Sequence, residues 1–395
     1  MTDAVVTNPA AAVLVKGWCP GAVRPMAAHD GLVVRIRPPG GRLSMAQAQG
    51  IAALAEQFAH PQLELTNRAN LQLRGVDPAH HASLLTALRA LALIDDDAAD
   101  EARRNVQVQP LWTDGDITPQ VAHQLSVQLR QQGVHLPAKF GFAVDTGPWP
   151  CLRDAYADIR LERHADGVLV YADGADHGVV VTPDDAPHQA LALARWFLSA
   201  GGAPAGRGRM SALLGTCPVP AEWLQTPVSA RERPTPAPGA HDAGYLVALA
   251  FGLIEAHTLA QLGAIGALRL TPWRSLLVEG APHLPALPDL ITEPADALRR
   301  VAACTGSPGC EQAFAPARGL AVELATAVPS GHLLHVSGCA KGCAHPRPTT
   351  TVVATPLGFD FIRQGTAASL PDHRGLSPAA LSQLLQQEFS HAAQL

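Results

Sequence analysis

The segment LELTNRANLQLRGV at residues 63–76 recurs in outline as LRLTPWRSLLVEGA at residues 268–281. Both copies contain L-x-L-T, four variable residues, an apolar strand and a closing glycine. An apolar strand and a helical pattern precede each copy, as GLVVRIRP and SMAQAQGIAALAEQFA in the first and GYLVALAFG and HTLAQLGAIGA in the second. The matching order of strand, helix and strand indicates an internal duplication.

A second pair of blocks also repeats a strand, a helix and a strand. In the first half, RRNVQVQP (103–110) and LPAKFGFAVDTG (136–147) enclose a helix predicted over residues 118–132. In the second half, RRVAACTGSPG (299–309) and HLLHVSGCAKGC (332–343) enclose a helix predicted over residues 310–327. Strands joined by a crossover helix run parallel. Their carboxyl ends therefore meet at one sheet edge, where ligands usually bind.

These repeats predict an α+β protein with three regions. The first block of both halves jointly forms one region, and each second block forms one of two related domains. The predicted segments are 1–90, 91–224, 241–288 and 289–395, with a connector at 225–240 where proline, alanine and charge replace hydrophobic periodicity.

Four of the seven cysteines lie within forty residues of one another and follow the two predicted strands of the second half. They are Cys304, Cys310, Cys339 and Cys343, with the spacing C-x5-C, 28 intervening residues and C-x3-C. Four thiolates are the usual ligand set of a four-iron, four-sulfur cluster. Structural zinc favours shorter spacings and a compact fold, and it remains an alternative together with unliganded thiols.

Composition excludes some classes of function. The chain has 395 residues, 47% of them apolar, and can bury a sizeable core. Its net charge is -5 and it has no long basic block, which argues against a nucleic-acid partner. The opening MTDAVVTNPAAAVLVKGW lacks a basic start and a long apolar run, and no stretch approaches the roughly 18 apolar residues of a membrane span. We therefore expect a cytoplasmic protein with no membrane partner.

The cysteine pattern, the duplication and the segments TNRANLQLRG, RRNV and LPAKF together resemble the nitrite and sulfite reductase superfamily. Within it, KGWCPGAVRPM, HDGLVVRIRPPGGRLS, TGSPGC and HVSGCAKGCAHP are most similar to the precorrin-3B synthase family. The resemblance implies an internally duplicated sulfite reductase-like fold. Residues 1–90 and 241–288 would form a ferredoxin-like domain, and 91–224 and 289–395 would form two related α/β sandwich domains, the second bearing the cluster.

The resemblance also implies a substrate site. Arg68, Arg104 and Lys139 match positions that in the superfamily bind tetrapyrrole carboxylates or a small anion. Arginine suits this task because it grips a carboxylate through two hydrogen bonds. Sulfite and nitrite reductases carry a second basic residue two positions after the matched lysine, where this chain has Gly141. The loss of a cation from a small-anion site lowers transition-state stabilisation, which argues against a reductase.

The implied reaction converts precorrin-3A to precorrin-3B with O2 and NADH, by hydroxylation at C20 and formation of a lactone from the ring A acetate. The resemblance further implies a mononuclear non-heme iron, whose ligands do not stand out among the seventeen histidines. No dinucleotide-binding glycine motif is evident, so NADH would act at an unrecognised site or through a partner reductase. The roles of Cys19, Lys341 and His345 stay open.

Two other functions remain as alternatives. The first is a siroheme-dependent sulfite or nitrite reductase, which would show siroheme absorbance. The second is a non-catalytic electron-transfer or tetrapyrrole-binding subunit, which would hold a cluster without converting any precorrin.

Overall fold

The computed structural model describes residues 20–95, 97–147, 149–229 and 235–392. Cys19 and Asp96 lie outside the described residues, as do the middle of the predicted connector and most of the segment KGWCPG. The described chain divides into two compact units. The first unit is built mainly from Leu32–Thr292, and the second from the described part of Glu293–Leu395 with Ala27–Gly31.

Up to residue 292 the strands are β1 (Met26–Ala28), β2 (Gly31–Ile36), β3 (Arg42–Leu43), β4 (Gln62–Leu65), β5 (Leu71–Val76), β6 (Val106–Val108), β7 (Phe142–Asp145), β8 (Ile159–His164), β9 (Gly167–Ala172), β10 (His177–Val181), β11 (Thr226–Pro227), β12 (Gly239–His241), β13 (Gly244–Leu249), β14 (Leu253–Glu255), β15 (Leu268–Leu270), β16 (Ser275–Glu279) and β17 (Leu290–Ile291). The helices in this range are α1 (Met45–Phe58), α2 (His81–Ala90), α3 (Ala98–Arg103), α4 (Thr118–Gln131), α5 (Ala186–Ser199), α6 (Met210–Leu214) and α7 (Ala256–Ile265). From residue 293 onward the elements are β18 (Val301–Ala303), α8 (Ala317–Leu324), β19 (Leu334–Ser337), β20 (Thr349–Thr355), β21 (Gly358–Gly365), β22 (His373–Leu376) and α9 (Pro378–Ala392). Among the described residues, no helix has the length and apolar character needed to span a membrane.

The two halves of the chain exchange edge strands within the first unit. Strand β14 of the second half pairs with β4 of the first, opposing Leu253 to Glu64. Strand β3 of the first half pairs with β15 of the second, opposing Leu43 to Leu268. The resulting strand orders are β2-β5-β4-β14 and β12-β13-β16-β15-β3. Each half therefore completes a sheet of the other, which confirms the predicted region built jointly by both halves.

Helices α1 and α7 pack together over a core shared by both sheets. A capping box fixes the start of α1: the Gln47 N–H donates to the Ser44 hydroxyl (3.2 Å), and the Ser44 N–H donates to the Gln47 side chain (2.9 Å). Fully buried side chains of this core are Ile51, Leu71, Leu73, Leu259, Leu268 and Leu276. Each contributes about 1.5–3 kcal/mol by leaving water.

The turn between β4 and β5 and the turn between β15 and β16 are built alike. The Arg68 N–H donates to the Thr66 hydroxyl (3.3 Å), and the Trp273 N–H donates to the Thr271 hydroxyl (3.2 Å). The residue that follows has a left-handed backbone in both turns, with φ of 53° and 58°. Arg68 and Trp273 therefore occupy equivalent positions of the duplication.

The first unit also contains a sheet of order β11-β10-β9-β8-β7-β6, in which β6, β7 and β8 run parallel. Helix α4 crosses from β6 to β7 as predicted and ends within one residue of the predicted boundary. Helices α4 and α5 pack over this sheet on a core that includes Phe142 and Phe197. Strands β11 and β12, at the two ends of the predicted connector, belong to sheets of this unit.

The second unit repeats the strand, helix and strand arrangement. Its sheet has the order β18-β19-β20-β21-β22, with β18, β19 and β20 parallel. The helix predicted over residues 310–327 was too long, because α8 begins only at Ala317. Residues before it form turns, in which the Ala313 N–H donates to the Cys310 carbonyl (3.1 Å) and the Phe314 N–H donates to the Gly338 carbonyl (2.9 Å). Pro316 has no N–H for a helix and directly precedes α8.

A segment of residues 149–157, here named the strap, leaves the end of β7 and is held by Asp145. The Asp145 carboxylate accepts the backbone N–H groups of Cys151 (2.8 Å) and Leu152 (2.7 Å). Asp145 is only 2% exposed. Burial raises the pKa of its carboxyl to about 7, and the charge of Glu162 adds to the rise, while the two N–H groups oppose it.

The Asp145 carboxyl should make the free energy of unfolding decrease as the pH rises. In the unfolded chain the carboxyl loses its proton near pH 4, whereas in the folded protein it keeps the proton up to about pH 7. Between these values the folded state binds more protons, so its free energy of unfolding decreases as pH rises. Urea unfolding of wild type and Asp145→Asn at pH 5 and 7.5 should show the variant gaining stability relative to wild type at the higher pH. A difference that is independent of pH would contradict the buried, protonated carboxyl.

Candidate functional site

The four predicted cysteines converge in the second unit. Cys304 directly follows β18, and Cys339 follows β19 after one glycine. The charges of Cys304, Cys310 and Cys339 all act on the Cys343 thiol, so the four sulfur atoms lie within range of mutual electrostatic repulsion. Desolvation raises the pKa of the Cys343 thiol to about 11, while the charge of Lys341 opposes this rise.

Glycines shape the loops around these sulfur atoms. The Gly338 N–H donates to Cys304 Sγ (3.1 Å), the kind of hydrogen bond that stabilises a cluster-bound thiolate. A Cβ on Gly338 would lie 2.8 Å from the Cβ of Ala313. Gly306 has φ of 70°, and a Cβ there would lie 2.4 Å from the Ala317 nitrogen. Neither position has room for a side chain, so the loops close tightly around the thiols.

The described cysteines do not form the compact group that a single metal ion requires. In the described parts of the chain, no three His, Cys, Asp or Glu side chains are grouped closely enough to hold one metal ion. Zinc requires its ligands to converge on one point at about 2.0–2.3 Å. A four-iron cluster binds each thiolate at a different iron, so its ligands stand farther apart. The described residues likewise offer no three-ligand group for the expected mononuclear iron.

Lys341 and His345, whose roles the sequence leaves open, lie beside the cysteine loops. Lys341 is exposed, and its positive charge favours the thiolate form of Cys343. The ring of His345 lies 6.0 Å from the ring of His335, which is fully buried on β19. A Cβ on Gly342 would lie 3.6 Å from His335 Cε1, so His335 packs under the loop that carries Cys343.

The first unit contains the same strand frame without a cysteine at the position of Cys304. The Gln109 N–H donates to the Val144 carbonyl (2.9 Å), as the Cys304 N–H donates to the Val336 carbonyl (3.4 Å). Gln109 therefore stands where Cys304 stands in the duplicate. Its side chain is fully buried, and its Nε2 lies 2.3 Å from the place of a Cβ on Gly147. A carboxamide packed in this way leaves no ligand for a cluster.

Two of the three predicted cationic residues are brought together in the first unit. The Arg68 guanidinium donates from Nη1 to the Lys139 carbonyl (3.1 Å). Arg68 Cζ also lies 5.5 Å from the centroid of the Tyr156 ring. The Lys139 side chain is exposed. The Arg68 cation thus lies beside a half-buried aromatic ring and contacts the backbone of Lys139.

Arg104 faces a different environment. Its Nε donates to Asp95 Oδ2 (2.5 Å), and both side chains are largely buried. It lines a cavity of about 270 Å³ that also includes Arg103, His123 and Arg130, and that neither Arg68 nor Lys139 lines. The Asp95 carboxylate offsets the charge of Arg104, so a ligand carboxylate competes with Asp95 for this guanidinium.

Asn105 explains why position 141 holds glycine. The Asn105 side chain donates from Nδ2 to the Phe140 carbonyl (2.7 Å), and a Cβ on Gly141 would lie 2.8 Å from that nitrogen. The Gly141 N–H donates to Asp158 Oδ2 (3.0 Å), which fixes the backbone. A basic side chain two positions after Lys139 would therefore have to displace the Asn105 amide, a constraint that the sequence alone does not reveal.

Comparison with known proteins identifies the fold. The family model described as "Nitrite/Sulfite reductase ferredoxin-like half domain" matches residues 24–91. A precorrin-3B synthase from a Sinorhizobium species is 30% identical over 94% of this chain and 89% of that protein. The solved structure of the Mycobacterium tuberculosis NirA protein superposes with a TM-score of 0.67, at 16% identity, over 90% of this chain and 79% of that chain. The predicted α+β, sulfite reductase-like fold is confirmed.

Gly141→Ala should destabilise the first unit, because the new methyl group overlaps the Asn105 amide. Overpacking of this kind costs about 1–3 kcal/mol. Gly215→Ala is the matched control, since a Cβ there would lie 3.4 Å from its nearest neighbour, the Ala212 carbonyl oxygen, and φ is -65°. Urea unfolding followed by fluorescence should show a lower midpoint only for Gly141→Ala. Equal midpoints for both variants would mean that Asn105 yields freely.

Proposed function

The chain belongs to the precorrin-3B synthase family and is an oxidoreductase of the monooxygenase type, and we propose that it converts precorrin-3A to precorrin-3B in aerobic cobalamin biosynthesis. The proposed reaction uses O2 and NADH, hydroxylates C20 and closes a lactone from the ring A acetate. The observation that carries the proposal is the nearly full-length likeness to a precorrin-3B synthase.

In this proposal Cys304, Cys310, Cys339 and Cys343 hold a four-iron, four-sulfur cluster. Such a cluster supplies single electrons when bound. The Gly338 N–H donates to Cys304 Sγ and so stabilises the thiolate that the cluster requires. A reducing compartment such as the cytoplasm keeps the four thiols free for this task.

Arg68 and Lys139 are proposed to bind carboxylates of the macrocycle. The Arg68 guanidinium donates to the backbone carbonyl of Lys139, which brings the two residues together on the first unit. Arg104 is proposed as a third carboxylate-binding residue, after exchange of Asp95 for the substrate group. A macrocycle with several carboxylates suits separated cations, whereas one small oxyanion needs them clustered.

Asn105 favours the large substrate over a small oxyanion. Its amide packs against Gly141 and disfavours a side chain there, and Lys139 lacks the second basic neighbour that the reductases carry. A siroheme-dependent reductase remains the second candidate, because the fold resembles that of the NirA protein. It predicts siroheme absorbance in the purified protein.

The proposed reaction also requires an electron route from NADH and a site of O2 activation. The described residues do not fit a mononuclear iron as one three-ligand group, so no step is assigned to that metal. NADH is proposed to deliver electrons through a partner reductase or at a site on the chain itself.

The reaction is tested by anaerobic purification followed by incubation with precorrin-3A, O2 and an electron donor. Mass spectrometry should show a product heavier by one oxygen atom, formed only when all three components are present. A siroheme absorption band, or consumption of the donor without oxygen gain in the macrocycle, would contradict the monooxygenase assignment.

Cys343→Ser should abolish or strongly reduce the iron-sulfur absorbance and the iron content of the anaerobically purified protein, because one of four thiolate ligands is lost. Cys217→Ser is the control, since Cys217 lies in the first unit, outside the cysteine loops, and its thiol donates to the Pro218 carbonyl at 3.9 Å. Retention of a full complement of iron and sulfide by Cys343→Ser would refute the ligand assignment.

A further inference from the structure

We infer that Trp273 and Tyr156 are aromatic positioning residues that complete the substrate surface beside Arg68 and Lys139, where they lie against the face of a flat, multiply carboxylated ligand. This inference rests on the proposed function and deepens it, because it assigns recognition of the macrocycle's apolar face to two further residues. The group of Arg68, Lys139, Tyr156 and Trp273 is named the aromatic-cationic surface.

The duplication places Trp273 where the first half has Arg68. Both residues follow a threonine whose hydroxyl accepts their own backbone N–H, at 3.3 Å for Arg68 and 3.2 Å for Trp273. The two turns therefore share the same hydrogen-bonded backbone structure and carry different side chains. One presents a cation and the other presents a large aromatic ring.

Both side chains contact the strap. Arg68 lies over the Tyr156 ring, with 5.5 Å between Cζ and the ring centroid. The Trp273 ring packs against a buried cluster that includes Ala155 and Ala157, the two neighbours of Tyr156. Equivalent positions of the two halves thus lie against the strap and the cluster that it forms with the end of β7.

The strap is fixed firmly enough to orient Tyr156. The Arg160 guanidinium donates hydrogen bonds to the backbone carbonyls of Leu152 (2.8 Å) and Ala155 (2.9 Å). The Gln107 side chain donates from Nε2 to the Tyr156 carbonyl (2.5 Å). These buried hydrogen bonds hold the backbone on both sides of the ring, while the Tyr156 side chain remains half-buried. A rigid aromatic ring binds a ligand with little loss of conformational entropy.

Trp273 has a polar group that its surroundings do not use. Its indole N–H is buried and has no hydrogen-bond partner among the residues that the structure describes. An unsatisfied donor of this kind is costly, and a carboxylate that reaches it after a small movement of the ring offsets that cost. Trp273 can therefore contribute both a stacking face and a donor.

The chemistry of the surface suits a carboxylated tetrapyrrole. Cations at Arg68 and Lys139 take peripheral carboxylates, and the rings of Tyr156 and Trp273 cover the apolar face of the macrocycle. A small oxyanion has no face to stack on. The aromatic pair thus makes the surface selective for a large planar anion.

The test measures binding of uroporphyrin, a stable porphyrin with eight carboxylates, by equilibrium dialysis with porphyrin absorbance as the readout. Trp273→Leu and Tyr156→Leu should each raise the dissociation constant roughly three- to tenfold. Trp273→Phe keeps a ring and loses the N–H, and should fall between wild type and Trp273→Leu. Trp196→Leu, on α5, is the matched control and should bind like wild type.

Turnover with precorrin-3A gives a second readout, in which the Tyr156 and Trp273 variants should raise KM more than they lower kcat. Thermal unfolding of each variant identifies loss of folding. If Trp273→Leu does not fold, the binding of uroporphyrin by Trp273→Phe and Tyr156→Leu tests the inference. Unchanged binding by these variants, with wild type binding uroporphyrin, overturns the inference and leaves the proposed function intact. Failure of wild type to bind any carboxylated tetrapyrrole overturns the proposed function and the inference together.

Discussion

The exchange of edge strands between the two halves of the chain is the constraint on which the first unit depends. Strand β14 completes the sheet of the first half, and β3 completes the sheet of the second. A sheet that lacks its edge strand exposes unpaired backbone groups, so neither half is complete alone. The exchange also brings the two equivalent turns, with Arg68 and Trp273, to the same strap.

The duplicated α/β domains have kept one frame and diverged in the residues at its ligand edge. A backbone hydrogen bond to the neighbouring strand fixes Cys304 in one copy and Gln109 in the other. Thiols surrounded by glycines favour a metal cluster, whereas a buried carboxamide does not. The proposed division of labour follows from this difference, with electron supply in one copy and substrate carboxylates held by the cationic residues of the first unit.

Local patterns were enough to predict the duplication, the crossover helix α4 and the cysteine group, because each depends on residues close together in sequence. Contacts between distant segments were not predictable in this way. The pairing of Arg104 with Asp95, the packing of Asn105 against Gly141 and the position of Tyr156 beside Arg68 all belong to this second class. The prediction that a helix begins at residue 310 was wrong, because turn contacts to Gly338 compete with helix formation before Ala317. Trp273 lies within the repeated sequence segment. Only the structure of the two equivalent turns shows that it occupies the position of Arg68.

The central claim is that this duplicated scaffold supports oxygen chemistry on a tetrapyrrole. A single turnover with precorrin-3A under isotopically labelled O2 tests it most directly. The account predicts that the product carries one labelled oxygen atom, in the hydroxyl group at C20. A product that forms without O2, or whose new oxygen comes entirely from water, would contradict it.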